Sequence, residues 1–532
     1  MTWSSRALRR AGGRTLGLAL VWLAAPRSGQ AAQQPAATLD TIIVLNHSVF
    51  DPADHAPGFV ARLANALHVT TRASVIRRVL LVNPGDRYDS ARVAESERAL
   101  RLLGVFSRVR IDTTRVHGRL ALQVATTDGW STQPQLSYST AGGDATWLFG
   151  MVEQNLLGTA TALTAVHNRT PDRSSFDLGY VNSHFVSRRA RLQGLYSDKS
   201  DGKRGDWFAG VPFYETGTPR AFTTTGEAAS ERVLVFRDGV LSDSLAHRAL
   251  RFGIAGGVAT HATSRDYVRL WLGAQWRRED FAPNVPTAAV PRSVFGTIGG
   301  GLDVGHVRYQ VLERFNSYAR REDVDISQLL HIGVWAAPHA WGYAADRAGL
   351  GPEVSAQVSG AWRGGFAVLS GAGNGVFTTG TPDSGRVSGA LTVASQNLPG
   401  QTLVVHLEGA RLRRPAPDAP FDLWVARKGP RLFGIHAFTG TRMVWLAVED
   451  RVLVADELWS LVGVGVAPFL DYGGAWYPDE TARLGGDIGV ALRIGPTRAI
   501  RGDVGEFAVG YRFGAGIVGS RWGLAVRRSV TY

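Results

Sequence analysis

Apolar and polar residues alternate with a period of two along most of the chain from about residue 133 onward. In residues 268–277, valine, leucine, alanine and tryptophan share one set of alternate positions, and Arg269, Gln275 and Arg277 share the other. Successive side chains of a strand point to opposite faces of its sheet, so this pattern predicts strands with one apolar and one polar face. The alternation recurs at residues 250–258, 402–408 and 487–494.

The repeated two-faced strands indicate how the chain crosses a membrane. Hydrocarbon cannot hydrogen-bond a peptide group, so a chain spans it only as a helix or as a closed sheet. A spanning helix needs roughly 20 consecutive apolar residues, and the nearest equivalent, residues 16–25, is too short. A dry core would not accept the many Arg and Gln side chains on the second face. The pattern therefore predicts a mainly β protein with a transmembrane antiparallel β-barrel at residues 130–532, and a soluble multi-sheet fold is the alternative.

The short apolar run belongs to a predicted leader. Four arginines precede it, and the small-residue site Gly29-Gln30-Ala31 follows it. A charged region, an apolar region and a small-residue cleavage site define a signal peptide. We therefore predict a signal peptide at residues 1–31 and a mature chain that starts near Ala32.

Residues 38–128 have a mixed pattern that predicts a small soluble domain. Asp89 is placed to cap one helix at its N-terminus, and Gly104 lies where that helix should end. The element order is β-α-α-β-β with an extra helix after the first strand, and the length suits one domain. The predicted strands are 41–50, 107–113 and 119–125, and the predicted helices are 59–67, 72–81 and 90–103.

Composition and charge exclude several classes of protein. The chain has no cysteine, which rules out a disulfide scaffold and thiolate chemistry. The formal net charge of +13 falls to +8 when the five Arg of residues 1–31 are subtracted. The remaining arginines are spread singly along strands and turns, whereas nucleic-acid binding needs a clustered basic face. We expect no nucleic-acid partner, and we expect outer-membrane lipid and lipopolysaccharide to meet these charges.

No motif points to catalysis. Neither G-x-S-x-G nor H-E-x-x-H occurs, and the G-x-G-x-x-G match at residues 514–519 leaves too few residues for the helix that a nucleotide needs. His47, Asp51, Asp54 and His55 do not have the spacing of a metal site. We therefore expect a protein that is not an enzyme and has no cofactor and no metal.

Several motifs together resemble the BamA/TamA family of outer-membrane assembly barrels. The segments 71–78, 84–89, 95–101 and 104–106 are similar to the helix-turn-helix and following strand of a POTRA module, the periplasmic module of that family. Thr127-Asp128-Gly129-Trp130 resembles its passage into the barrel. The resemblance implies one POTRA domain and a sixteen-stranded barrel, located in the cell outer membrane with the N-terminal domain in the periplasm.

The resemblance also identifies a loop that folds into the barrel lumen. In the family this loop carries an aliphatic-Arg-Gly-aromatic motif, and five strands follow it. Here Leu432-Phe433-Gly434-Ile435, with Gly440 after it, occupies that place. Phe433 replaces the family arginine, and the nearest cation is Arg431. Five strands are predicted to start near residues 442, 458, 484, 503 and 521.

The same family resemblance identifies residues of the lumen wall that would contact the loop. Glu449 and Arg451 form an E-x-R pair, and Asp471 lies in a segment similar to the family's F-x-D-x-G strand. A charge-assisted pair would fix the loop in one position. We predict a contact from Arg431 to Asp471; the alternative is a loop that is anchored differently.

The first and last strands must pair to close the barrel. Leu136 and Gly142 mark the first strand and Gly523 the last, and glycine weakens strand pairing. The resemblance implies a weak seam that templates client strands by edge addition, although glycine is common throughout the barrel. A cysteine pair at Leu136 and Ala525 is predicted to lock the seam. Val530 and Tyr532 end the chain in the manner of the recognition signal of outer-membrane strands.

These expectations define three functional hypotheses. The first is insertion or translocation of unfolded outer-membrane or secreted client polypeptides, with a possible periplasmic partner at the POTRA edge strand near residues 42–44. The second is a passive, anion-preferring pore or receptor barrel. The third is a secretion transporter dedicated to a single client.

Overall fold

The computed structural model describes most of the chain. The predicted signal peptide lies outside the described residues, as do Gly142, Val530, Tyr532 and residues 51–56 of the rejected metal motif. The described ranges are 37–50, 57–141, 144–185, 189–237, 239–283, 293–318, 320–343, 348–378, 381–424, 428–498 and 504–529.

The N-terminal part contains the predicted elements in the predicted order. A three-stranded sheet has the order β1-β3-β2, in which β1 runs parallel to β3 and β2 runs antiparallel to it. Asp89 accepts hydrogen bonds from the backbone N–H groups of the third helix, which fixes where that helix begins. The elements are β1 (Thr41–His47), α1 (Gly58–Leu67), α2 (Ala73–Val79), α3 (Ser90–Leu102), β2 (Phe106–Val116) and β3 (Arg119–Asp128).

In the part of the chain that the structure describes, twenty antiparallel strands form a closed barrel after this domain. Two short hairpins, β14–β15 and β21–β22, lie outside the barrel ring, and single 3-10 turns occupy Leu156–Gly158 and His339–Trp341. The hairpin strands are β14 (Tyr309–Glu313), β15 (Arg321–Asp325), β21 (Phe421–Leu423) and β22 (Phe438–Gly440). The barrel strands are β4 (Thr132–Ala141), β5 (Asp144–Glu153), β6 (Thr161–Arg169), β7 (Ser174–Asn182), β8 (Arg191–Lys199), β9 (Gly202–Val211), β10 (Arg220–Arg237), β11 (Val240–Ala262), β12 (Asp266–Pro283), β13 (Ser293–His306), β16 (Gln328–Ala337), β17 (Gly349–Trp362), β18 (Gly365–Thr378), β19 (Thr381–Ser395), β20 (Gln401–Arg413), β23 (Arg442–Leu458), β24 (Val462–Trp476), β25 (Gly485–Pro496), β26 (Gly505–Gly514) and β27 (Trp522–Arg528).

The count of sixteen strands is wrong. Within the described ranges the barrel contains four more strands, because β4 to β9 are short, at nine or ten residues each. About 400 residues are enough for a barrel of either sixteen or twenty strands, so periodicity alone does not determine the number of strands. The five strands after the lumen loop, β23 to β27, begin within four residues of their predicted starts.

The strand faces differ as a membrane barrel requires. On β25, Ile488 and Val490 are 54% and 53% exposed and point outward, whereas Asp487 and Ala491 are fully buried and point inward. An apolar outside and a polar inside are the arrangement expected for a barrel in lipid. Within the described ranges, the helices are all too short or too polar to span a membrane.

The N-terminal domain contacts one rim of the barrel, here called the domain-side rim. Asn155 donates to the hydroxyl of Thr71, and Thr216 donates to the carboxylate of Glu95. Both barrel residues lie in turns, after β5 and β9 respectively. The domain boundaries at residues 38, 128 and 130 stay predictions.

Candidate functional site

A row of small residues, here called the floor, crosses the inner wall of β24 to β27 under the inserted loop. Ala467, Ala491, Ala508 and Ala525 pair in register across the four strands, and each is fully buried. Leu432 and Trp424 pack on this row from the connection between β20 and β23. Small side chains at one level of the wall leave the volume that an inserted loop needs. We call residues 428–440 of that connection the lumen loop.

Glycine extends the floor at two positions. A Cβ at Gly489 would lie 2.9 Å from the Phe469 ring, and one at Gly523 would lie 3.2 Å from Cβ of Leu432. The lumen loop therefore lies directly on the last barrel strand. The guanidinium of Arg431 in turn lies 3.9 Å from the centre of the Phe469 ring, a favourable cation–π distance.

Arg431 is the centre of the site. It is fully buried, and its Nε donates to Oδ2 of Asp471 at 2.6 Å, so the contact predicted from the sequence is present. The Arg431 guanidinium also lies 3.0 Å from a carboxylate oxygen of Glu449 and 3.6 Å from one of Glu506. The role of this contact in activity stays a prediction.

Three more arginines complete a buried charge cluster. Arg451 donates to Glu449 at 2.7 Å, Arg527 donates to Glu506 at 2.8 Å, and Arg493 lies 3.4 Å from Glu506. Asp487 accepts a hydrogen bond from the backbone N–H of Leu432 at 2.8 Å. Buried charges persist when they are paired and hydrogen-bonded, so the cluster holds the loop through charge and backbone contacts together.

The sequence reasoning missed Arg493, Glu506, Asp487 and Arg527. Alternation places each of them on the polar face of its strand, but the strand register decides which polar residues meet. In the structure Arg493 pairs with Glu506, and Glu506 with Arg527, across β25 to β27.

Phe433 takes a packing role in place of the family arginine. It is fully buried, and its ring centre lies 5.1 Å from that of Phe438. Gly434 and Ile435 are half-buried beside it. Gly440 is tightly enclosed, because a Cβ there would lie 2.2 Å from the backbone carbonyl carbon of Trp476. The cation that pairs with Asp471 therefore comes from Arg431, two positions before the expected place.

His436 ties the lumen loop to the rim opposite the domain. Its two ring nitrogens each lie 2.9 Å from a carboxylate, one from Asp172 in the β6–β7 turn and one from Asp422. Burial would lower the pKa of His436, but the hydrogen bonds to Asp172 and Asp422 outweigh it and raise the pKa to about 9. The ring also stacks on Phe236 of β10.

The seam between β4 and β27 is weakly paired in the residues that the structure describes. Among the described residues the two strands share one register pair, Val526 with Thr140, whereas β26 and β27 share seven. Arg528 reaches across the seam and donates to Gln135 at 2.8 Å. Gly523 is at the seam under Leu432, but pairs with β26.

The proposed Leu136–Ala525 cross-link is wrong. Leu136 is 79% exposed and points outward, whereas Ala525 is fully buried and points into the lumen. Residues on opposite faces of a sheet cannot be bridged by a disulfide without moving the backbone. Thr140 and Val526 are the correct positions.

One group of residues in the described part of the chain has a metal-like geometry. His247, Glu279 and Asp418 place their ligand atoms within 4.8 Å of one another. Arg251 lies 2.5 Å from Glu279, and Arg277 lies 3.6 Å from it. Two adjacent cations already neutralise Glu279 and oppose a bound dication.

Comparison with known proteins agrees with this architecture. Residues 68–128 match the POTRA family model, described as "Surface antigen variable number repeat". A segment of 154 residues is 26% identical to "Outer membrane protein assembly factor BamA" of Neorickettsia risticii (strain Illinois). That match covers 25% of this chain and 20% of the relative, so it spans about one fifth of the curated protein.

Solved structures with a similar arrangement include three barrels at low identity. BamA from Haemophilus ducreyi lacking POTRA domains 1-3 is 11% identical, with a TM-score of 0.38 over 92% of this chain and 84% of that one. CdiB from Acinetobacter baumannii is 11% identical, with a TM-score of 0.43 over 92% and 73%. CdiB from Escherichia coli is 10% identical, with a TM-score of 0.46 over 95% and 92%.

The fold and the matches define an outer-membrane β-barrel with a POTRA segment before it. The chain is similar to BamA over part of its length, in agreement with the resemblance that the sequence motifs indicated. It is located in the cell outer membrane with the N-terminal domain in the periplasm, so the domain-side rim is the periplasmic rim.

Proposed function

We propose that this protein inserts or translocates polypeptides at the outer membrane, in the manner of the BamA/TamA type. The seam is the observation that carries the proposal. A barrel that only encloses a pore gains stability from a fully paired ring, whereas a single described pair between Thr140 and Val526 leaves two strand edges that are easily freed.

The proposed mechanism is strand addition at the opened seam. The freed edges of β4 and β27 offer unpaired N–H and C=O groups, and an unfolded client strand satisfies them by pairing. The lumen loop supports β27 from the inside through Leu432 and Gly523 while this happens. Client folding supplies the energy, so the proposal includes neither enzymatic catalysis nor a cofactor.

The partners follow from the same reasoning. Unfolded outer-membrane or secreted polypeptides are the proposed clients, and lipid and lipopolysaccharide surround the barrel. Strand β1 is at an edge of its three-stranded sheet, which suits it to receive a strand from a periplasmic partner. Nucleic acid is not among the proposed partners.

A disulfide across the seam tests the mechanism. Cysteines at Thr140 and Val526 would face each other at a distance that a disulfide can bridge, and the chain has no other cysteine. We expect the oxidised protein to lose client assembly and to regain it on reduction. A control pair at Val509 and Leu524 locks β26 to β27 instead and should leave assembly unchanged. Full assembly by the oxidised seam variant would contradict lateral opening.

Depletion of the protein from its host distinguishes the functional classes. Loss of many outer-membrane proteins is the expected result. An intact outer-membrane proteome with altered solute uptake would instead identify a pore or receptor. Loss of one secreted product would identify a dedicated transporter.

A further inference from the structure

A second insert enters the lumen from the periplasmic rim. It is the β14–β15 hairpin, which connects β13 to β16. His306 and Gln328 pair with each other at the ends of those two strands, so a two-residue turn would be enough to connect them. The hairpin has its own internal order, because Glu322 accepts hydrogen bonds from the backbone N–H groups of Asn316 and Ser317 at 2.9 Å.

The hairpin tip fits a cradle in the inner wall. Tyr318 is 5% exposed, and its ring lies where a Cβ at Gly463 or Gly495 would lie, at 2.1 and 3.1 Å. The Tyr318 hydroxyl donates to the carbonyl oxygen of Arg493 at 3.2 Å. Phe315 is also buried and packs edge-on against Phe366 of β18, with ring centres 5.4 Å apart. The wall is therefore shaped for these two rings.

The same tip contacts the charge cluster that holds the lumen loop. Arg451 donates to the carbonyl oxygen of Phe315 at 2.5 Å and to the side chain of Asn316 at 3.2 Å. Arg451 also binds Glu449, which lies 3.0 Å from Arg431. Two side chains thus separate the hairpin from the loop cation.

The base of the hairpin contacts the periplasmic domain. Arg101 of α3 donates to both carboxylate oxygens of Asp323, at 2.7 and 2.6 Å. Arg98 of α3 lies 4.2 Å from the ring centre of Tyr309. A bidentate arginine–carboxylate pair fixes orientation as well as distance, so α3 and the hairpin hold each other in one arrangement.

We infer that the β14–β15 hairpin is a strut that positions the lumen loop according to the position of the periplasmic domain. If the hairpin only filled space in the lumen, the contacts at its tip would be sufficient. The additional pair between Arg101 and Asp323 connects it to the periplasmic domain. The continuous series of contacts, from α3 through the tip to Arg431, connects the two lumen inserts. A change in the position of the periplasmic domain should therefore loosen or tighten the lumen loop. This effect should not depend on what the barrel transports.

The test uses the purified full-length protein in detergent without any client. Ala437, which is half-buried in the lumen loop, is replaced by the sole cysteine, and its rate of reaction with a maleimide reports loop release. Asp323→Asn removes the charge that pairs with Arg101 at the domain end of the strut, and Tyr318→Ala empties the cradle. Thr216→Val is the matched control, because it removes the hydroxyl of a different domain–barrel contact.

We expect Asp323→Asn and Tyr318→Ala each to raise the labelling rate by about 2- to 30-fold, the range of coupling along such contact networks. The double variant should gain nothing beyond Tyr318→Ala alone, because both act through one strut. Thr216→Val should leave the rate unchanged. Heat-dependent gel mobility verifies that each barrel is folded.

Two outcomes would overturn the inference. A rise with Tyr318→Ala and none with Asp323→Asn would mean that the hairpin supports the loop without coupling it to the domain. Equal rises for Asp323→Asn and Thr216→Val would mean that any loosening of the domain releases the loop. Neither outcome bears on client assembly, which the seam disulfide tests separately.

Discussion

At the residue scale, one displaced cation explains how the lumen loop keeps its place without the family arginine. Phe433 packs where the arginine is expected, and Arg431 reaches Asp471 from two residues upstream. The family resemblance pointed to the pair of Arg431 and Asp471, because one motif identified the lumen loop and another identified the wall strand that carries Asp471. It did not point to Glu506 or Arg527, whose meeting depends on barrel register.

Replacing Arg431 by alanine should weaken loop docking and client assembly more than replacing Asp471 does, because Arg431 contacts two further carboxylates. Arg431→Ala leaves the buried carboxylate of Asp471 without its cation, which costs on the order of 3–5 kcal/mol. Asp471→Ala leaves Arg431 paired with Glu449 and Glu506. The double variant should be less impaired than the sum of the singles, since no charge of that pair remains alone. Protease sensitivity of the loop and assembly activity are the measurements. Wild-type behaviour of Arg431→Ala would remove the proposed anchor.

At the element scale, the lumen loop is held at three levels. Alanine and glycine form the floor, the charge cluster fixes the middle, and His436 secures the rim opposite the domain. Alternation predicted strands and their faces, and the resemblance pointed to the five strands after the loop. It could not predict the strut, because a short hairpin within a turn leaves no long periodic signal and its cradle glycines resemble the other glycines of the barrel.

Loop docking should depend on pH through His436. Its pKa rises from 6.5 to about 9 in the folded protein, so the contact with Asp172 and Asp422 is fully present below about pH 6.5 and is lost as the pH rises through about 9. The contribution is roughly 3 kcal/mol at most. Protease sensitivity of the loop should increase between pH 8 and 10 by this route. His436→Gln should be sensitive at every pH and should lack that step; a step that persists in His436→Gln would refute the assignment.

At the scale of the whole molecule, a firmly packed part of the barrel wall lies next to a weak seam. The β23 to β27 side carries the floor, the cluster and both inserts, whereas the closing seam with β4 is nearly unpaired among the described residues. Because the β23 to β27 wall is firmly packed, the barrel should open at the seam between β4 and β27 and not elsewhere. The number of strands followed from neither the periodicity nor the resemblance, because closure is a property of the complete ring.

A substitution that introduces arginine on the outer face should cost more at the centre of a strand than at its end. Val490 lies at the middle of β25 and Ile494 near its periplasmic end, and both point outward with comparable exposure, 53% and 46%. In hydrocarbon, arginine costs about 2–4 kcal/mol at the midplane and about 0–1 kcal/mol near an interface. Reversible urea unfolding in lipid vesicles should therefore place Val490→Arg well below Ile494→Arg in stability. Equal losses would mean that β25 does not cross the bilayer in the position that the apolar outer face indicates. The seam, which lies two strands away at β27, would then not open into lipid.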